Sequence, residues 1–270
     1  MDEDKRYQYW RSALSPLYGD RETENMWRMY VEVDRPEDIF DADIEQLKSY
    51  FPLQYLLGFT WFYDLKIGVT PEVLIPRPET EELVFYLLDM VGMNDHAPIV
   101  LDLGTGSGCI PLAIKSKRPE WQLYGLDYYS EALEVAKKNS LDLDIDVKWC
   151  TGNILTWDLG EFQDVMFDII ISNPPYIPLH DQKIMADNVL KYEPHSALFT
   201  DHPQGLEFYQ AIAENYSRNL KSDGWIFMEI HESYAEEILS LFHPRHHWGD
   251  IGVLNDLQGK PRIFYAQKKC

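Results

Sequence analysis

The chain has 270 residues, of which 45% are hydrophobic and 14% are aromatic, and its formal net charge is -21. This composition supports a full hydrophobic core and excludes an intrinsically disordered protein. The length fits one large domain, or a medium-sized domain with a smaller companion. The acidity argues against direct nucleic acid binding, because binding of phosphates depends on Lys and Arg side chains.

The sequence favours neither a membrane nor a metal partner. It has no apolar run long enough to cross a bilayer, and its charged, aromatic beginning does not resemble a signal peptide. Three histidines lie between positions 243 and 247, but the proline and arginine among them favour a solvated loop. The cysteines have neither metal-ligand spacing nor a disulfide framework: Cys109, Cys150 and Cys270. We therefore expect a cytoplasmic protein without a metal, and a monomer by default.

Residues 1–58 are predicted to form a small helical domain. Apolar side chains recur at helical spacing over 7–17, and shorter helices are predicted at 24–33 and 44–51, with prolines between these stretches. Three tryptophans of this region and the next are predicted to serve packing rather than ligand binding: Trp10, Trp27 and Trp61.

Residues 59–79 are predicted to form a β-hairpin over 59–69 and then an extended linker, because the prolines that follow forbid a helix. Thr80 is predicted to cap a helix over 81–90, whose first turn is acidic. The linker therefore leads directly into the larger domain.

From residue 80 to 270, strands and helices alternate, which predicts an α/β domain around a mostly parallel sheet. The predicted strands are 99–103, 122–127, 146–150, 167–172, 225–230, 247–253 and 262–267. The predicted helices are 109–117, 130–139, 205–220 and 233–242. An Asp-Gly turn at 223–224 opens the fifth strand, and the last two strands form an antiparallel hairpin with a loop at 255–259.

A glycine-rich turn follows the first predicted strand of this domain: Gly104, Thr105, Gly106, Ser107 and Gly108. Glycine lets a ligand approach the backbone, and the start of the next helix favours an anionic group such as a carboxylate. A dinucleotide-binding turn would place a glycine at Cys109, so the spacing instead resembles the S-adenosylmethionine loop of class I methyltransferases. Asp127 ends the next strand, where a carboxylate can accept both hydroxyls of a ribose.

The most informative motif follows a buried strand at its carboxyl end, where doubly wound sheets bind ligands: Asn173, Pro174, Pro175 and Tyr176. The prolines stop the strand and stiffen the backbone. The side-chain oxygen of Asn173 and the carbonyl of Pro174 can then accept both hydrogens of a planar –NH2 group, with Tyr176 stacked beside it. A plain strand-ending turn is the alternative, but it needs neither the asparagine nor the aromatic ring.

With these motifs in place, the chain resembles the HemK/PrmC family, the peptide-chain-release-factor glutamine N5-methyltransferases. The resemblance runs from about Pro52 to the end of the chain. It is carried by the segments 52–58, 74–81, 101–108, 172–177, 192–194, 197–199 and 256–259. The combination of Ile-Pro-Arg-Pro-Glu-Thr with Asn-Pro-Pro-Tyr-Ile is specific to this family, whereas Asn-Pro-Pro-Tyr alone is shared with adenine-N6 methyltransferases of DNA.

The resemblance implies a seven-stranded, Rossmann-like methyltransferase domain behind a helical domain that engages the release factor. It implies S-adenosyl-L-methionine as methyl donor and the glutamine of a Gly-Gly-Gln loop as substrate, with adenine contacts from Asn153 and Ile154. Arg77 and Glu79 would shape the substrate entrance, or would merely pair with each other. Three departures from the family stand out: Asn153 stands where Asp is usual, Asp64 where Gly is common, and His202-Pro203 interrupts the stretch before Gly205.

Two rival functions remain at this point. An adenine-N6 methyltransferase shares the tetrapeptide, but the acidity and the lack of room for a basic target-recognition domain argue against it. A scaffold that binds the cofactor without turnover would not need both motifs intact. The sequence therefore predicts a glutamine methyltransferase that takes part in translation termination.

Overall fold

The computed structural model describes residues 2–92, 97–185, 187–200, 202–243 and 248–269. Its N-terminal region is helical, as expected: α1 (Glu3–Tyr18), α2 (Asp20–Val31), α3 (Phe40–Lys48) and α4 (Leu53–Leu57). Trp10 and Trp27 are buried in the core that these helices share. Trp61 is about half exposed, and its indole N–H donates to Glu32 at 3.1 Å. Gly58 ends α4 in a left-handed conformation.

A buried ion pair joins the helices of this region. The Arg35 guanidinium contacts both carboxylate oxygens of Asp43, at 2.6 and 2.7 Å, and also donates to the carbonyl of Leu56. The hydroxyl of Tyr30 donates to the same carboxylate at 2.7 Å. Because breaking a buried pair leaves an uncompensated charge, these contacts hold α2, α3 and α4 in one arrangement.

The predicted hairpin is present as β1 (Phe59–Phe62) and β2 (Leu65–Gly68), which pair antiparallel. Tyr63 and Asp64 form its turn with φ values of 51° and 66°. Two-residue turns need positive φ at both positions, and aspartate tolerates that conformation better than most residues. The aspartate at position 64 therefore leaves the hairpin intact.

The helix after the linker, α5 (Pro78–Val91), begins earlier than predicted. Arg77 is its N-cap residue, and proline at the first helical position has φ already set for a helix. The prediction that Thr80 caps this helix is wrong. Thr80 lies inside the first turn, is 3% exposed, and donates its hydroxyl hydrogen to Glu229 instead.

The remaining chain alternates as expected. Its strands are β3 (Ile99–Leu103), β4 (Gln122–Asp127), β5 (Lys148–Thr151), β6 (Phe167–Ser172), β7 (Ile177–Pro178), β8 (Phe199–Thr200), β9 (Leu220–Glu229), β10 (Trp248–Asn255) and β11 (Pro261–Lys268). Its helices are α6 (Cys109–Lys117), α7 (Ser130–Leu143), α8 (Asp187–Tyr192), α9 (His195–Leu198), α10 (Glu207–Asn215) and α11 (Ala235–Phe242).

Seven strands form one sheet in the order β10-β11-β9-β6-β3-β4-β5. The five strands from β9 to β5 run parallel, and β11 is antiparallel to both β9 and β10. The prediction of a mostly parallel sheet with a closing antiparallel hairpin is confirmed. Strand order reverses between β3 and β6, which is where such sheets bind ligands.

Several boundaries differ from the sequence prediction, most of all between α10 and β9. Helix α10 ends at Asn215, and β9 already starts at Leu220, so the predicted turn at Asp223 lies inside a strand. Asp223 has φ 59°, and the pairing of β9 with β6 shifts register near this point. A bulge accommodates the Asp-Gly pair there, because glycine and aspartate tolerate its backbone. The predicted start of the next strand, His247, lies outside the described residues.

The hydrophobic core has a layer on each face of the sheet. Ile170 of β6 packs on one face with α10 and α11, while Ile169 and Ile171 pack on the other with α5 and α6. Alternate side chains of a strand point to opposite faces, so a strand buried on both sides is apolar throughout. Cys109 lies in the second layer as a free, buried thiol.

Asn139 of α7 joins the hairpin to the glycine-rich turn. Its side-chain oxygen accepts from the backbone N–H of Gly68 at 2.8 Å. Its amide nitrogen donates to the carbonyls of Gly68, at 2.9 Å, and of Ser107, at 2.8 Å. Because Asn139 is 2% exposed, water cannot replace these bonds.

We expect Asn139→Ala to lower the free energy of unfolding by about 2 to 4 kcal/mol, since it leaves buried backbone groups of Gly68 and Ser107 without partners. Urea unfolding followed by circular dichroism measures the change. The neighbouring exposed Lys138→Ala is the matched control and should change stability by less than about 0.5 kcal/mol. Equal effects of the two substitutions would show that Asn139 does not have this role.

Candidate active site

The carboxyl ends of three adjacent strands bring the predicted motifs together. In the sheet, Leu103 of β3 pairs with Leu126 of β4 and with Ser172 of β6. The residues that follow these strands therefore meet at one edge, where they line a cavity of about 310 Å³. Among its lining residues are Arg77, Thr80, Gly104, Thr105, Gly106, Ser107, Asp127, Asn153, Ile154, Asn173 and Pro175.

The glycine-rich turn forms the floor of this cavity. Gly104, Gly106 and Gly108 have φ values of 73°, 54° and 78°, a region that other residues rarely adopt. A Cβ atom on Gly106 would meet no atom within 4 Å, and one on Gly108 would come within 2.7 Å of Trp149. Helix α6 begins directly after the turn. Its N-terminus therefore offers backbone N–H groups to an anionic group in the cavity.

Asp127 stands at the end of β4, on the cavity wall. One carboxylate oxygen accepts from the backbone N–H of Gly106 at 2.8 Å, and the other from that of Tyr129 at 3.0 Å. Burial raises the pKa of the Asp127 carboxyl, and these backbone donors oppose the rise. The carboxylate is thus fixed in orientation while it retains acceptor capacity towards the cavity.

Asp102 and Thr105 carry buried polar atoms that lack hydrogen-bond partners among the described residues. Asp102 is completely buried in β3, and burial raises the pKa of its carboxyl to about 7, against an opposing contribution from Thr105. Thr105 lines the cavity. Unsatisfied polar atoms beside the glycine-rich turn fit a site that is shaped for a polar, nucleotide-sized ligand.

Asn153 and Ile154 lie on the cavity wall, as the resemblance implied. The Asn153 side-chain oxygen accepts from the backbone N–H of Leu155 at 2.9 Å and so caps a short helical turn. This side chain is engaged in the cap. An asparagine can cap the turn just as well as the aspartate that is usual in the family.

Asn173 begins a hydrogen-bonded chain that links three elements. Its amide nitrogen donates to the hydroxyl oxygen of Thr80 at 3.0 Å, and the Thr80 hydroxyl donates to Glu229 at 2.7 Å. The Tyr176 hydroxyl donates to the other carboxylate oxygen of Glu229 at 2.9 Å. Burial raises the pKa of the Glu229 carboxyl, and the two hydroxyl donors oppose that rise.

A second cavity of about 160 Å³ adjoins the first. Its lining includes Pro174 and Tyr176, and four residues line both cavities: Leu74, Arg77, Asn173 and Ala197. The side chain of Asn173 thus stands on the boundary between the larger and the smaller cavity. Of the predicted site residues, Gly108 and Glu79 belong to the lining of neither cavity.

Arg77 does not pair with Glu79, which overturns one of the two sequence interpretations. Its guanidinium forms an ion pair with Glu193 at 2.5 Å. Glu193 is 5% exposed and also accepts from the backbone N–H of Ile75 at 3.2 Å. This pair fixes the linker against the segment that follows the tetrapeptide, so Arg77 lines both cavities in a set position.

Sequence reasoning missed three residues of this site as site residues: Thr80, Glu193 and Glu229. Glu229 had a detectable signature, because it is the acidic residue at the carboxyl end of an otherwise apolar strand stretch, Trp225–Ile230. An acidic residue is almost never fully buried unless it has partners. The partners themselves lie 53 and 149 residues away in the chain, so only the fold reveals them.

Neither a membrane span nor a metal site emerges from the described part of the chain. No helix there is long and apolar enough to cross a membrane. Within the same residues, no group of three or more His, Cys, Asp or Glu side chains is placed to hold a metal ion. Of the three clustered histidines, His246 and His247 lie outside the described residues.

The fold and this site define a Rossmann-like methyltransferase. A family model described as a methyltransferase domain matches residues 94–248. A crystal structure of a methyltransferase from Pyrococcus furiosus shares the fold with a TM-score of 0.55 at 16% identity, covering 76% of this chain and 90% of that chain.

Two relatives identify the family to which this chain belongs within the methyltransferases. The release factor glutamine methyltransferase of Flavobacterium psychrophilum is 33% identical, over 93% of this chain and 94% of its own. The release factor glutamine methyltransferase of Bacteroides thetaiotaomicron is 36% identical, over 83% of this chain and 79% of its own. The chain belongs to the family of release factor glutamine methyltransferases, as the sequence motifs indicated.

The buried Asp102 predicts a pH dependence of stability. Its carboxyl pKa is about 7 in the folded protein, against about 4 in an unfolded chain. The folded state thus binds a proton that the unfolded state releases, so the free energy of unfolding falls as pH rises through that interval. Asp102→Asn removes this titration. We expect the free energy of unfolding of this variant to exceed that of the wild type by about 2 to 4 kcal/mol at pH 8.5.

Urea unfolding at a series of pH values from 5.5 to 8.5, without cofactor, measures this difference. The control is Asp89→Asn, which changes an exposed carboxylate of α5. The pH-dependent gain in stability should be confined to Asp102→Asn. A difference between Asp102→Asn and the wild type that does not change with pH would contradict the assignment of the titration to Asp102.

Proposed function

We propose that this protein transfers a methyl group from S-adenosyl-L-methionine to the side-chain amide nitrogen of the glutamine in the Gly-Gly-Gln loop of peptide chain release factors. The observation that carries this proposal is the position of Asn173 between a nucleotide-sized cavity and a smaller one. Membership in the release factor glutamine methyltransferase family supports the choice of acceptor. The amide would enter the smaller cavity and meet the methyl donor at their shared wall.

Residues of the larger cavity would hold the methyl donor. Bound there, S-adenosyl-L-methionine supplies an electrophilic methyl group on a sulfonium. The Asp127 carboxylate would accept the ribose hydroxyls, and the turn from Gly104 to Gly108 would receive the carboxylate of the methionine part. Asn153 and Ile154 would contact the adenine. All of these residues except Gly108 lie on the cavity wall, which supports these assignments.

Residues of the smaller cavity would activate the acceptor. An amide nitrogen is a poor nucleophile, because its lone pair is delocalised into the carbonyl group. The side-chain oxygen of Asn173 and the backbone carbonyl of Pro174 would accept its two hydrogens, which localises the lone pair. An N–C bond would form as the methyl–sulfur bond breaks, leaving a neutral thioether, and the nitrogen would release one of its two protons to water. Holding the reacting atoms about 3 to 3.5 Å apart then supplies several kcal/mol of barrier reduction.

Tyr176 and Pro175 would frame the substrate amide rather than react with it. The Tyr176 hydroxyl is bound to Glu229, so only its ring remains for packing. Burial and the nearby Glu229 raise the pKa of Tyr176 well above its usual value, so the phenol stays protonated at neutral pH. Arg77, fixed by Glu193, would border the entrance, whereas Glu79 has no comparable position.

The partner and the setting follow from the same proposal. Residues 1–58 would form the domain that contacts the release factor, residues 59–79 the connecting hairpin and linker, and residues 80–270 the catalytic domain. We place the reaction in the cytoplasm, where translation occurs, with a monomeric enzyme. The net charge of -21 favours a protein acceptor over a nucleic acid.

The deciding experiment offers three acceptors to the purified protein with methyl-labelled S-adenosyl-L-methionine. They are a release factor, the same factor with its loop glutamine changed to alanine, and unmethylated duplex DNA. Label on the intact factor alone is the expected result. Label on DNA would mean that the tetrapeptide serves adenine methylation, and bound cofactor without any label would favour a scaffold.

Asn173→Ala and Asp127→Ala should separate turnover from cofactor binding. We expect Asn173→Ala to lower kcat by at least about 100-fold, because the acceptor amide loses its orientation. Cofactor affinity should stay within about threefold, since Asp127 and the glycine turn are intact.

We expect Asp127→Ala to weaken cofactor binding by about 10- to 100-fold, because a hydrogen bond to a charged group contributes about 1.5 to 3 kcal/mol. Isothermal titration and a methyl-transfer assay measure the two quantities. Asp89→Ala is the control for loss of an exposed carboxylate and should change neither. Strong turnover by Asn173→Ala would remove the proposed role of its side-chain oxygen.

A further inference from the structure

The orientation of the Asn173 side chain decides whether it can act as proposed. An asparagine amide has an acceptor end and a donor end of nearly equal shape. Rotation by 180° would replace the oxygen that receives the substrate hydrogens with a second donor. The proposed reaction therefore needs a device that selects one of the two orientations.

We propose that Thr80 is the positioning residue that sets this orientation, and that Glu229 directs Thr80. The inference rests on the proposed function, in which the side-chain oxygen of Asn173 receives the substrate amide. Neither Thr80 nor Glu229 contacts the reacting atoms in this role. Both act through Asn173, by the direction of their hydrogen bonds.

The direction of these hydrogen bonds is set first at the Glu229 carboxylate. An ionised carboxylate has no hydrogen, so it can only accept. Its two oxygens receive the hydroxyls of Thr80, at 2.7 Å, and of Tyr176, at 2.9 Å. Glu229 is 2% exposed and lies on the wall of the smaller cavity, and both of its oxygens are already engaged by these hydroxyls. Both hydroxyl hydrogens are therefore committed to this side chain.

Thr80 in turn determines which end of the Asn173 amide faces it. A threonine hydroxyl has one hydrogen, and Glu229 receives it, so the Thr80 oxygen is left only as an acceptor. A group 3.0 Å away must then donate, and the amide nitrogen of Asn173 occupies that position. The reversed amide would place two acceptors against each other in a part-buried setting, which is unfavourable.

This orientation places the acceptor end of the Asn173 amide on the cavity side. Since its nitrogen is held by Thr80, its oxygen lies at the opposite end of the amide. Asn173 lines both cavities, so this acceptor is available where the methyl donor and the acceptor amide would meet. Glu229 thus selects, through one hydroxyl, the chemical character of a side chain that it does not touch.

Substitutions at Thr80 test this relay, because serine keeps the hydroxyl while valine keeps the shape. We expect Thr80→Val to lower kcat about 30- to 100-fold, with KM for the release factor within about threefold, since binding surfaces are unchanged. Thr80→Ser should retain kcat within about fivefold of the wild type. Methyl transfer at saturating cofactor measures both constants, and titration confirms that cofactor still binds.

The matched control is Thr200→Val. Thr200 is 2% exposed, and its hydroxyl donates to Glu207, so this substitution also removes a buried hydroxyl from a carboxylate. We expect it to leave kcat within about twofold. The inference would be overturned by Thr80→Val with near wild-type kcat, or by Thr80→Ser that is as impaired as Thr80→Val. A similar loss in Thr200→Val would also count against it.

A second measurement needs no turnover. In protein labelled with 15N-asparagine, the side-chain amide protons of Asn173 should exchange slowly with solvent in the wild type and in Thr80→Ser, and rapidly in Thr80→Val. Asn173→Asp identifies the resonances by their absence. Protected protons without any methyl transfer to the release factor would mean that the proposed function fails while the relay holds. Unprotected protons in an active wild type would mean that the relay itself is wrong.

Discussion

Glu229 imposes a constraint that reaches well beyond its own strand. An ionised carboxylate that is buried at the end of a strand needs donors, because water no longer reaches it. The structure supplies them from two distant segments, Thr80 at the start of α5 and Tyr176 after β6. The backbone carbonyl of Glu229 accepts a third hydroxyl, that of Tyr209 in α10, at 3.0 Å. Satisfying one buried residue thus fixes two helices and the tetrapeptide against the sheet.

Two side chains that are held by fixed contacts form the wall that the two cavities share. Arg77, held by Glu193, and Asn173, held by Thr80, border both spaces. Neither side chain is free to turn towards one cavity alone. A group in the larger cavity and a group in the smaller one would therefore meet a rigid boundary, which favours alignment of two reactants over binding of either one alone.

Electrostatics at this edge of the sheet favours a ligand with positive character. Asp102, Asp127 and Glu229 are all buried near the carboxyl ends of the parallel strands, and burial raises the pKa of each. Asp127 and Glu229 place carboxylate charges at the cavity walls, whereas Asp102, with a pKa of about 7, is only partly ionised at neutral pH. A sulfonium with an ammonium group compensates such charges better than a neutral nucleoside does. The cost in stability is the usual one for a site that is organised before its ligand arrives.

The sequence by itself determined the order of the strands along the chain, the glycine turn after β3, the carboxylate at the end of β4 and the tetrapeptide after β6. These features are local, since a buried strand is apolar throughout and a turn with positive φ requires glycine. Local reasoning failed where a neighbour in space overrode it: Thr80 reads as a helix cap, and a pair between Arg77 and Glu79 is one of the two interpretations that the sequence leaves open. Only the tertiary structure decided that Thr80 donates a hydrogen bond to Glu229 and that Arg77 forms an ion pair with Glu193. The physical reason is that a buried charge takes its partner from whatever segment the fold brings near, and no spacing in the sequence records that distance.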